Sequence, residues 1–77
     1  MNKTRRTAIE KIRDKLMDLL EEIEQVKDQE QEAFDNMPEG LQSSERGEAM
    51  ESAISSLEEA YDSVDSAVCS LEEAMEV

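Results

Sequence analysis

The sequence predicts an all-α fold, an antiparallel two-helix hairpin of coiled-coil type that dimerises into a four-helix bundle. Three observations predict it. Apolar residues recur at steps of three and four through both halves of the chain, the signature of helices with one packed face. The single proline and one of the two glycines sit together near the middle. The segments on either side of that break are about equally long, so they cover one another when folded back. At 77 residues the chain makes one domain, 1–77. A core that small seldom offsets chain entropy without disulfides, metal or self-association.

The first helix is expected over residues 4–36, with Thr4 as its cap. Its apolar seam runs Ile9, Ile12, Leu16, Leu19, Ile23, Val26 and Ala33, with one gap at Glu30. No glycine or proline interrupts it, and roughly 33 residues rising 1.5 Å each make a rod of about 50 Å. Glu30 in a seam is either a ligand contact or a register device. The plainer reading is a side chain that reaches solvent near the helix end.

Asn36-Met37-Pro38-Glu39-Gly40 marks the break, because the residue before proline resists helical geometry. The turn is placed at 37–43, and so short a connection makes its two helices antiparallel neighbours. Phe34, Asn36, Met37, Pro38 and Leu41 form the tip. Its apolar members either close the turn or stand out as a docking knob.

The second helix is expected over 44–76, capped by Ser43 or Ser44. It has a stricter seven-residue period: Ala53, Ala60, Ala67 and Ala74 are each followed by a larger apolar residue, Ile54, Tyr61, Val68 and Met75. Met50, Leu57, Val64 and Leu71 complete the stripe, and Ser-Leu-Glu-Glu-Ala at 56–60 returns at 70–74. Folding back near residue 40 brings together positions that sum to about 80, such as Ile23 with Leu57, Leu16 with Val64 and Ile9 with Leu71. An alanine in every heptad at the seam allows close backbone approach.

Two packed positions in seven suffice for a hairpin, and this helix has three. The excess predicts a homodimer whose interface takes Met17 and Leu20 from the first helix and Ile54, Tyr61, Val68 and Met75 from the second. The alternative is a monomer whose extra stripe is covered by another partner.

Charge narrows the function classes. Twenty-one acids against eight bases give −13, too negative for direct binding of nucleic acid or an anionic membrane. Six bases against two acids in residues 1–17 leave +4, whereas two against nineteen in the remainder leave −17. The basic stretch from Lys3 to Lys15 is expected to lie against Glu72, Glu73 and Glu76; a membrane or calmodulin-target segment is the less economical reading. Histidine is absent and Cys69 is alone, on an expected outward position, which argues against zinc, a disulfide framework and histidine-based catalysis. No cofactor or metal is expected. Calcium needs six to eight oxygens from a flexible loop, and acid–base work needs a shielded pocket. A helical rod supplies neither, so no enzyme is expected. No apolar run approaches a membrane span or a signal peptide, and the expected location is the cytoplasm.

The candidate binding surface is the acidic face of the second helix, comprising Glu51, Glu58, Glu59, Asp62, Asp65, Glu72 and Glu73. Seven residues of helix rise about 10.5 Å, close to three phosphate steps of about 3.4 Å on one DNA strand. Such a row imitates phosphates to a basic protein. A merely solvated face would ordinarily mix signs.

From Phe34, the run Phe-Asp-Asn-Met-Pro-Glu-Gly-Leu-Gln-Ser-Ser-Glu-Arg-Gly-Glu-Ala-Met-Glu, followed by the Leu-Glu-Glu-Ala repeats, resembles a group of short acidic helical proteins of Gram-positive bacteria and their phages. These typically read Asn-Leu-Pro-Glu-Ser-Leu-Gln before Ser-Glu-Arg-Gly-Glu. The resemblance covers residues 30–75, with Met37 in place of leucine and Gly40 in place of serine. It implies a mobile-element setting, in which small acidic proteins act as inhibitors of host nucleic-acid-binding proteins, the anti-CRISPR and anti-defence type among them. A structural module that only pairs helices is the alternative.

Overall fold

A computed structural model describes residues 1–77. It is all-helical, with α1 (Lys3–Asp35), α2 (Glu39–Gln42) and α3 (Glu45–Met75). α1 and α3 pack side by side in opposite directions, forming a rod of 58 × 14 × 12 Å.

The cap of α1 is Asn2 rather than Thr4, which lies inside the helix. The Asn2 side chain accepts the Arg5 N–H at 2.8 Å, satisfying a donor that has no partner within the helix. At the other end the chain leaves α1 through Asn36, whose N–H reaches back to Glu32 and Phe34, and Pro38 then holds an extended backbone.

The expected plain turn contains a further helical turn, α2, because the Pro38 carbonyl accepts from both Leu41 and Gln42, at 2.8 and 3.2 Å. Gln42 then folds over the end of α1, its side-chain amide donating to the carbonyls of Phe34 at 3.1 Å and Met37 at 3.3 Å. Ser44 is the cap of α3, accepting the Gly47 N–H at 3.3 Å while its hydroxyl donates to the Leu41 carbonyl. Gly47 is buried, and a Cβ there would lie 2.1 Å from the Gln42 carbonyl oxygen. Only glycine permits this approach.

The seam follows a strict heptad. In α1 the buried and half-buried positions are Arg6, Ile9, Arg13, Leu16, Leu20, Ile23, Lys27, Glu30 and Phe34. In α3 they are Gly47, Met50, Ile54, Leu57, Tyr61, Val64, Val68, Leu71 and Met75, together with Ala74. Each run alternates steps of three and four, position a and position d of a heptad. Arg6 meets Met75, Leu20 lines a groove with Tyr61, and Ile23 lines another with Leu57. All three pairs sum to about 80, the expected register.

The face turned inward differs from expectation. Ile12, Leu19, Val26 and Ala33 are exposed, and Arg13, Lys27 and Glu30 take seam positions. Ala53, Ala60 and Ala67 are exposed too, since the larger residue following each alanine removes more apolar surface from water. Leu20, Ile54 and Val68, expected at a dimer interface, are the interior of the hairpin itself, with only 5–7% exposure. Tyr61 and Met75 are half-buried in the same seam, which leaves Met17 alone of that set on the surface. Glu30 is half-buried rather than solvated.

The open end is clasped otherwise than expected. Arg6 donates through Nε to the Met75 carbonyl at 3.1 Å, and the Met1 amine donates to the main-chain oxygen of Val77 at 2.8 Å. Neither bonds the side chain of Glu72, Glu73 or Glu76. The orphan carbonyls at a helix C-terminus carry partial negative charge, and Arg6 satisfies one of them.

Candidate partner-binding surfaces

Heptad geometry sorts the remaining positions onto two sides of the hairpin. In an antiparallel pair, the e positions of both helices flank the seam on one side and the g positions flank it on the other. Reading the seam as a and d, Glu51, Glu58, Asp65 and Glu72 are the e positions of α3. Glu59 and Glu73 lie at f and Asp62 at b, further round the same side, and all seven of these carboxylates are exposed.

Folding brings carboxylates of α1 to this row. Asp65 shares a groove with Asp14, Asp18, Glu21 and Glu24, and Met17, Leu20 and Tyr61 also line it. The adjoining groove takes Glu58 and Asp62 from α3, Glu24 and Lys27 from α1, and Tyr61 again. Glu51 lies nearer the tip, beside Gln31, Phe34, Ile54 and Ser55. Asp14, Asp18, Glu21 and Glu24 were missed although a seven-residue acidic repeat, Asp14, Glu21, Asp28 and Asp35, was there to find them, because the seam of the first helix was read in the wrong phase. With α1 read in its true phase, Asp14 and Glu21 fall at b, Asp18 at f and Glu24 at e, the same arc as the acids of α3.

These charges are left uncompensated. The two ion pairs in the chain join sequence neighbours, Arg13 to Asp14 at 3.1 Å and Lys27 to Asp28 at 3.9 Å. None of the seven α3 carboxylates has a base within ion-pair distance. No three carboxylates gather closely enough to hold a metal ion, and no helix is long and apolar enough to cross a membrane.

The opposite side is apolar. Ile12, Leu19 and Val26, at g of α1, keep 47–51% exposure. The g positions of α3 are the alanines, too short to cover the seam, so a groove opens that is lined by Leu19, Ile23, Val26, Leu57 and Val64 with Glu22 at its rim. At the tip, Phe34 and Met37 are half-buried, whereas Asn36, Pro38 and Leu41 are exposed. Cys69, at b of α3, is exposed.

No protein-family model, curated protein or solved structure matches the chain.

Proposed function

We propose that the chain is a non-enzymatic protein-binding module whose acidic side takes a basic surface of a nucleic-acid-binding protein. It acts in the bacterial cytoplasm as an inhibitor or regulator of the DNA-mimic, anti-CRISPR or anti-defence type. The observation that carries the reading is the row of α3 carboxylates with no ion-pair partner in the chain, joined across the grooves by Asp14, Asp18, Glu21 and Glu24. Crowding like charges without compensation lowers stability through self-repulsion, so a use for them offsets that loss. Tyr61 adds a ring face at the meeting of the two grooves, where an arginine or lysine of a partner gains cation–π attraction beside the carboxylates. The likeness of the tip motif to phage and Gram-positive proteins supports the mobile-element setting.

A second reading, a helix-pairing module that dimerises into a four-helix bundle, is favoured by the exposed Ile12, Leu19 and Val26. Both surfaces can operate in one molecule, because they lie on opposite sides of the seam.

The test is capture of basic nucleic-acid-binding proteins from bacterial lysate at low salt. Duplex DNA is expected to compete with the captured protein, and rising salt to release it. Reversing Glu58, Glu59, Asp65, Glu72 and Glu73 to lysine is expected to abolish capture with helix content unchanged. Capture that survives the reversal, or that ignores both DNA and salt, removes the mimicry reading.

A further inference from the structure

We infer that the apolar g side is where a second copy of this chain docks, with α1 of each copy lying over α3 of the other. The inference rests on self-association as such, and adds the face and the topology.

Surface area gives the first argument. The chain exposes 5699 Å2. A folded monomer of 8.7 kDa is expected to expose only about 4,700 Å2 on the usual size scaling. That surplus of about 1,000 Å2 is spread along the whole rod, and covering the roughly 800 Å2 per partner of a standard stable interface would remove most of it.

The occupant follows from shape and charge together. On α1 the face has three large aliphatic residues, Ile12, Leu19 and Val26, and on α3 it has Ala53, Ala60 and Ala67 at the same spacing. A two-fold axis parallel to the rod keeps every residue at its own height. Given the register of the hairpin, it sets Ile12, Leu19 and Val26 over Ala67, Ala60 and Ala53 of the second copy. Large residues then meet small ones along both contacts, and the two interhelical spacings are equal. Stacking α1 on α1 instead would put aliphatic on aliphatic along one edge and alanine on alanine along the other. Spacing depends on side-chain size at the contact, so two rigid hairpins would splay.

Charge points to the same occupant. A second copy carries −13 and tolerates contact only where carboxylates are absent. The acids of α3 lie at b, e and f, whereas its g and c positions from Ala49 to Ala74 are all alanine or serine. Only Lys15 and Glu22 of α1 bring charge to the rim in that stretch. This is the side that brings the fewest carboxylates into contact when two such acidic chains meet.

Sedimentation equilibrium at low micromolar concentration tests the pairing, with a mass twice 8.7 kDa expected. The double substitution Leu19→Gln with Val26→Gln alters side chains that the hairpin leaves half exposed, so helix content by circular dichroism should hold while dimerisation weakens about 100-fold. For topology, in a Cys69→Ser background, chains bearing Leu19→Cys mixed with chains bearing Ala60→Cys should form a disulfide dimer on mild oxidation, and neither alone should. A wild-type mass of 8.7 kDa overturns self-association and the inference with it. A dimer unaffected by the glutamines overturns the face alone. Cross-linking by Leu19→Cys alone overturns the topology.

Discussion

Glycine holds two different offices in this chain. At Gly47 the carbonyls of Gln42 and Leu41 occupy the space that any Cβ would need, 2.1 and 2.7 Å away, whereas at Gly40 nothing lies within 4 Å. Gly47→Ala therefore trades a favourable helix propensity for an overpacked tip, and a net loss of about 1–3 kcal/mol is expected. Gly40→Ala restricts only the unfolded chain and should gain about 0.4–1 kcal/mol. Thermal unfolding of the two variants should shift in opposite directions. A single charge is also placed to matter, since Arg6 is the side chain that closes the open end on the Met75 carbonyl. Arg6→Ala should cost about 1 kcal/mol and speed amide exchange in the last turn of α3 more than elsewhere.

At the scale of elements, α1 is arranged against its own dipole. Its first turn has no acid and its last turn no base, while its bases cluster at the start. The antiparallel partner offsets this in part, for Arg6 of α1 donates to the Met75 carbonyl where α3 ends. A peptide of residues 1–37 alone is thus expected to be weakly helical by circular dichroism and to gain helicity when mixed with residues 38–77. The same element shows where sequence reading succeeds and fails. Helix, break and register were legible, because steps of three and four and a lone proline are local signals. The face was not. Ile12, Leu19 and Val26 form as good an apolar seam with Ile9, Leu16 and Ile23 as the true one does, and the true one is disguised by Arg13, Lys27 and Glu30. Long basic side chains bury their stems while their heads reach water, so a letter that reads as polar can occupy a seam. Rotation of α1 is settled at the tip, where Gln42 grips the end of α1 and Gly47 admits α2. Those contacts carry no periodic signature. The acidic row of α3 was legible for the converse reason, that it repeats. Its counterpart on α1 repeats as well, at Asp14, Glu21, Asp28 and Asp35, but the side on which it lies follows only from the rotation of α1.

For the whole molecule, two surfaces of opposite character share one seam, and salt acts on them differently. Screening relieves the repulsion of −13 within the rod, so the melting temperature should rise between about 10 mM and about 500 mM sodium chloride. Over the same range, capture of a basic protein should weaken. A binding loss that tracked unfolding would show a falling melting temperature instead, and the two measurements made together separate the causes.

The strict heptad and the locked tip also set rules for how such a chain can change length. The tip fixes the phase of both helices, and each face then repeats every seven residues along the rod. Adding one heptad to α1 and one to α3 at the same height would give a longer protein with every side intact. Adding one to a single helix would slide the open end by about 10.5 Å and strip Arg6 of its carbonyl. Duplication in matched sevens is the route by which this architecture can grow without being redesigned.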